Sequence, residues 1–100
     1  MVKKKQELDV KKLEITINRM SVLKNPINVR IIFLLEKEQE LCVTDVYTKL
    51  NFSQVCASFY LRKLRNLKII DSERRGQKIF YSVNAERFAR IIEAINLLNN

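Results

Sequence analysis

The sequence predicts a mainly α-helical domain that carries one small β-hairpin. Apolar residues recur at helical spacing through most of the chain. A single Gly and a single Pro in 100 residues are too few for the turns of an all-β fold. The helical spacing is interrupted once, by two β-prone runs that flank the Gly. One hundred residues make one domain, 1–100, and 47% of them are apolar, enough for a core. A domain of this size buries only about two-thirds of its unfolded surface, so a dimer interface would add to its stability.

Residues 1–6 read as a flexible basic tail. From about Leu8 to Leu23, Val10, Leu13, Ile17 and Met20 form one helical stripe, which Ile15 and Val22 widen. Asn25 then Pro26 mark a boundary, since Asn caps helices and Pro is favoured at the first helical position. The helix that follows has Val29, Ile32, Phe33, Leu34 and Leu35 as its apolar side and ends in the polar stretch 36–40. Leu41, Cys42 and Val43 are a short apolar link. Thr44 or Asp45 caps a third helix of about two turns, with Val46, Tyr47 and Leu50 facing inward. After a tight turn at Asn51 and Phe52, Ser53 caps a fourth helix. Its inward residues are Ala57, Tyr60 or its neighbour, Leu61, Leu64 and Leu67; Gln54, Val55, Ser58, Phe59 and Arg62 point outward.

Two helices joined by a three- or four-residue turn, the second opening with small polar residues, form a helix-turn-helix over 44–67. The runs 69–74 and 78–83 are β-prone, and Arg75, Gly76 and Gln77 between them make a basic turn in which Gly supplies φ > 0. This hairpin, a wing over 69–83, leads to Asn84, which caps a last helix with Phe88, Ile91, Ile92, Ile95 and Leu98 on one face. The sum is a winged helix-turn-helix: four helices, two strands and a fifth helix. The first and last helices, 8–24 and 85–98, present apolar faces suited to a homodimer seam through Leu13, Ile17, Met20, Phe88, Ile91, Ile95 and Leu98.

The formal charge is +8, from 19 basic and 11 acidic residues, which points to a polyanion partner. Residues 53–81 concentrate it, with Arg62, Lys63, Arg65, Lys68, Arg74, Arg75 and Lys78 against Asp71 and Glu73. The segment 36–45 runs the other way, with Glu36, Glu38, Glu40 and Asp45 against Lys37. A helix fits the major groove of double-stranded DNA, which is about 12 Å wide. Gln54 suits adenine, Ser58 several bases, and Arg62 guanine or phosphate, with Lys63 beside it. Ser53 and the nearby backbone N–H groups suit a phosphate. Arg74, Arg75, Gln77 and Lys78 on the wing can reach phosphates or the neighbouring minor groove. Val55 and Phe59 either meet thymine methyl groups or pack against the wing.

The absence of His removes the commonest general base and metal ligand, and there is neither a Gly-rich phosphate loop nor a paired nucleophile and base. An enzyme is therefore not expected. No apolar run has the roughly 20 residues of a membrane span, and no signal peptide is visible, so a cytoplasmic protein with no membrane role is expected. Cys42 and Cys56 read as small core residues or, alternatively, as a redox switch, Cys56 lying where a helix dipole could lower a thiol pKa. The other functional class compatible with this pattern is a winged-helix module that binds an acidic protein without specific DNA recognition.

The runs Leu41–Val46 and Leu50–Leu64, with Leu67–Ile70 and the hairpin Arg74–Tyr81, resemble the ArsR family of bacterial repressors. Leu23–Arg30 resembles that family's approach to its second helix, and the likeness covers roughly residues 20–83. The resemblance implies five helices with a wing, a dimer built from the first and last helices, and repression at an inverted-repeat operator relieved by an inducer. Tyr60 stands where a His is common in the family. Its arsenic and cadmium sensors carry several cysteines around the third helix, where this chain has Cys42 and, two residues on, Thr44. Its zinc and nickel sensors use Asp and His on the last helix, at positions matching about Ala85, Arg87 and Leu98. None of these can ligate Zn²⁺. No metal at those sites and no cofactor are expected, and the residues point to no inducer.

Overall fold

The computed structural model describes residues 2–99, with side chains described for residues 10–98. Along the chain lie α1 (Val2–Leu23), α2 (Pro26–Glu38), β1 (Leu41–Cys42), α3 (Val43–Leu50), α4 (Gln54–Asn66), β2 (Asp71–Arg75), β3 (Lys78–Ser82) and α5 (Ala85–Asn99). α1 thus begins ahead of the expected Leu8. The basic tail expected over 1–6 lies outside the residues whose side chains are described.

Local chemistry sets the helix starts. Asn25 Oδ1 accepts from the Ile27 N–H at 2.9 Å, and Pro26 opens α2 without a donor to lose. Ser53 Oγ accepts from the Cys56 N–H at 3.1 Å at the head of α4. Asn84 Oδ1 accepts from the Arg87 N–H at 3.0 Å at the head of α5. α3 differs from expectation. It starts at Val43, ahead of Thr44 and Asp45, and Cys42 occupies its cap position with no side-chain hydrogen bond to the helix backbone.

The hairpin is also part of something larger. Leu41 and Cys42, expected as a link, form a short edge strand on β3, opposite Tyr81 and Phe80. The result is a three-stranded antiparallel sheet in the order β1-β3-β2. Register across the wing pairs Glu73 with Phe80, Arg74 with Ile79 and Arg75 with Lys78. Ile69 and Ile70, expected at the start of the first strand, precede it and are buried in the core.

The core gathers Ile31, Ile32 and Leu35 from α2 with Val46 from α3 and Ala57, Leu61 and Leu64 from α4. Leu41, Ile69, Ile70, Val22 and Ile91 complete it. Phe33, expected on the apolar side of α2, is 66% exposed, because the core takes the 31, 32, 35 face instead. Buried Asn28 fixes the α1–α2 corner by donating through Nδ2 to the Val22 carbonyl at 2.9 Å.

The turns that lead into the wing and form its tip are left-handed. Gly76 has φ +64°, and a Cβ there would meet nothing within 4 Å. Lys68, just past the end of α4, has φ +64° without being Gly. It sits where the Ile69 N–H reaches back to the Leu64 carbonyl at 3.0 Å, a helix stop that favours Gly. The two positions predict effects of opposite sign. Gly76→Ala costs about 1 kcal/mol from backbone strain alone, whereas Lys68→Gly stabilises by up to about 1 kcal/mol. Urea unfolding checks both, and a destabilised Lys68→Gly protein would contradict the account.

Candidate nucleic-acid interface

The helix-turn-helix is held rigidly. Asn51 closes α3 in a left-handed conformation, and the Phe52 N–H returns to the Tyr47 carbonyl at 2.9 Å. The Arg30 guanidinium of α2 lies 5.1 Å above the Phe52 ring and donates to the Leu50 carbonyl at 3.4 Å. At the far end of α4, Arg19 of α1 donates through Nε to the Leu67 carbonyl at 2.9 Å, a cation at the negative end of the helix dipole. Burial, and then repulsion from Arg87, hold the Arg19 guanidinium below its ordinary pKa. Arg87 in turn pairs with Asp71, joining α5 to the base of the wing.

With Ala57, Leu61 and Leu64 buried, helical geometry fixes where the other α4 residues point. Val55, Phe59 and Arg62 form the crest farthest from the core, and all three are exposed. Ser58, Arg62 and Arg65 follow i, i+4, i+7 spacing and flank the wing. Gln54 is exposed at the first turn. Lys63 lies on the opposite flank, where its Nζ stands 5.8 Å from the Phe59 ring centre.

Between α4 and the sheet runs a cleft of about 380 Å3. It is lined by Cys42, Val43, Thr44, Ser58, Arg62, Arg65, Gln77, Lys78, Ile79 and Tyr81. Arg62 and Arg65 line it from α4, Lys78 borders it beside the wing's turn, and no carboxylate lines it, a wall chemistry suited to a phosphodiester strand. Ser58, Arg62, Gln77 and Lys78, all expected at the site, are brought together here. Arg65 and Thr44 were not expected there. The spacing of Arg65 from Ser58 and Arg62 was the available signal.

The two wing arginines part company. Arg74 pairs across the strands with Ile79, which lines the cleft, and its Nε donates to the Gly76 carbonyl at 3.3 Å. Arg75 is the next residue, so its side chain goes to the other face of the sheet, while its partner Lys78 borders the cleft only at the strand end beside the turn. There it stacks 4.5 Å above the Phe80 ring and pairs with Glu40 and with Glu73, the latter at 3.0 Å. The hydrogen bonds from Glu40 and then Glu73 raise its pKa from the ordinary value. Arg75, expected among the DNA-contacting residues of the wing, is thus engaged within the chain by Glu40 and Glu73.

Both cysteines are free thiols. Cys42 is buried at the edge of the cleft and donates to Asp45 Oδ2 at 3.2 Å; Cys56 is half-buried. Among the described residues, no three of His, Cys, Asp and Glu gather where one ion could be held. One thiol beside one carboxylate does not fit a tetrahedral soft-metal site.

Away from the cleft lining, α1 packs against α5. Leu13, Ile17 and Leu98 are exposed there, together with Val10 and Leu97. Met20, Phe88 and Ile95 are half-buried. Ile91 is already buried within one chain and belongs to the protomer core. Among the described residues, no helix is long and apolar enough to cross a membrane.

The profile of the bacterial regulatory protein family, arsR type, matches residues 25–72, from the α2 cap to the wing. The cadmium resistance transcriptional regulatory protein CadC homolog of Staphylococcus aureus is 32% identical over 90 residues, 90% of this chain and 69% of that protein. The chain belongs to the ArsR family. This ArsR-family protein is also 28% identical to the transcriptional repressor PagR of Bacillus anthracis, over 90% of both chains. Its fold matches the homodimeric winged helix-turn-helix DNA-binding domain Mb0332 of Mycobacterium bovis with a TM-score of 0.74 and 21% identity, covering 90% of this chain and 82% of that one. It is thus a winged helix-turn-helix DNA-binding transcriptional regulator, of a family whose members are regulators and not enzymes.

Proposed function

We propose that this ArsR-family protein is a cytoplasmic, sequence-specific transcriptional repressor that binds an inverted-repeat operator as a homodimer. The observation that carries the reading is the cleft between α4 and the wing, with Arg62, Arg65 and Lys78 on its walls and no acidic residue. With α4 in the major groove and the wing over the next minor groove, one DNA strand runs along this cleft. Arg62, Arg65 and Lys78 then meet phosphates, and Ser53 with the α4 N-terminus grips a further one. Gln54 and Ser58 meet base edges, and Gln77 and Arg74 follow the strand at the wing. Lys63, on the opposite flank of α4, faces the other wall of the major groove.

The exposed apolar residues of α1 and α5 support a two-fold seam, the assembly state of the Mycobacterium bovis neighbour. A two-fold dimer reads a palindrome whose half-sites lie about 34 Å apart. Selection of bound duplexes from a random library is expected to return such a palindrome. Failure to enrich any sequence would overturn the reading and leave a winged-helix module for an acidic protein partner.

A further inference from the structure

We propose that Val55 and Phe59 read thymine methyl groups in the major groove and so set part of the operator sequence. The inference rests on the DNA-binding reading above and adds base chemistry to it.

Val55 is 80% exposed and Phe59 is 56% exposed, on a helix that buries Ala57, Leu61 and Leu64 completely. Four residues apart, they are neighbours on one face and form a short apolar ridge along the helix crest. Packing against the wing does not account for them. Phe59 meets Tyr60 edge-on at 5.2 Å and the Lys63 ammonium at 5.8 Å, and neither Val55 nor Phe59 lines the cleft beside the wing. An exposed apolar ridge on a functional face marks contact with something.

Charge identifies the occupant. α4 contains no acidic residue, and cations stand on both flanks of the ridge, Arg62 and Arg65 on one and Lys63 on the other. A polyanion fits between them. Within a DNA duplex the one apolar group that base edges offer in the major groove is the C5 methyl of thymine. Gln54, adjacent to Val55, carries the amide that pairs with adenine N6 and N7. One A·T pair can therefore satisfy both neighbours, the amide on adenine and the valine on the thymine methyl.

Replacing thymine by deoxyuridine tests this directly, because it deletes the methyl while keeping Watson–Crick pairing. The probe is the duplex recovered by random selection, synthesised with deoxyuridine at single thymine positions. Wild-type protein is expected to bind about fourfold more weakly for each contacted methyl removed. Val55→Ala and Phe59→Ala should bind the thymine duplex more weakly and lose that sensitivity at their own positions. Both side chains are exposed, and thermal unfolding confirms that the variants fold. Equal binding of thymine and deoxyuridine duplexes by wild type, or full sensitivity retained in both variants, overturns the inference while leaving DNA binding intact. Absence of any selected duplex overturns the DNA-binding reading itself.

Discussion

Alanine at Arg62 and Arg65 together is expected to weaken operator binding by on the order of 100- to 1000-fold, whereas alanine at Arg75 leaves its salt dependence unchanged. The difference follows from where the guanidinium groups sit. Arg62 and Arg65 line an acid-free cleft, and in a dimer their loss removes four cations from the DNA strand. Each phosphate contact releases condensed counterions, so the slope of log K against log salt should flatten by about 0.9 per contact, or about 3.6 in all. Arg75 is turned to the other face of the sheet and already holds Glu40 and Glu73 across the Phe80 ring. Its role is to tie the wing to the end of α2, a surface contact that contributes little to stability. Fluorescence anisotropy of a labelled operator at four or five salt concentrations measures both slopes. If Arg75→Ala flattened the slope as much as Arg65→Ala, the assignment of the two wing faces would be wrong.

That contrast also marks what the sequence conveys and what it does not. The starts of α2, α4 and α5 are legible because their chemistry is local: Asn25, Ser53 and Asn84 cap residues two or three positions ahead. Gly76 at the wing tip is legible for the same reason, since one backbone conformation demands it. β1 is not, because two residues carry no periodicity, and Leu41 and Cys42 become a strand only by pairing with residues nearly 40 positions away. The direction of Arg75 depends on the wing register and on Glu40, 35 residues upstream. Arg65 could have been found by extending the spacing of Ser58 and Arg62 one turn further. Phe33 misled because α2 is apolar on more than one face, and only packing decides which face the core takes. The cleft itself is a property of two elements brought together, so Ser58, Arg62, Gln77 and Lys78 were foreseeable individually and its freedom from acidic groups was not.

Aspartate at Leu13 and Ile17 together is expected to yield a folded monomer that binds the operator at least 100-fold more weakly. Both side chains are exposed on α1, which packs against α5, and neither belongs to the buried core. The protomer should therefore keep its structure. In a two-fold interface each new carboxylate is buried once from each protomer, so its desolvation cost acts twice. A monomer engages one half-site only and forgoes the gain of about 100- to 10,000-fold that comes when a second, linked module binds. Sedimentation velocity reads the mass, circular dichroism reads the fold, and anisotropy on full and half operators reads the affinity. The variant should bind both duplexes equally weakly, while the wild type prefers the full site. A monomeric, folded variant that still bound the full operator like wild type would show that the apolar face of α1 and α5 has no part in DNA recognition, and the two-fold arrangement would have to be abandoned.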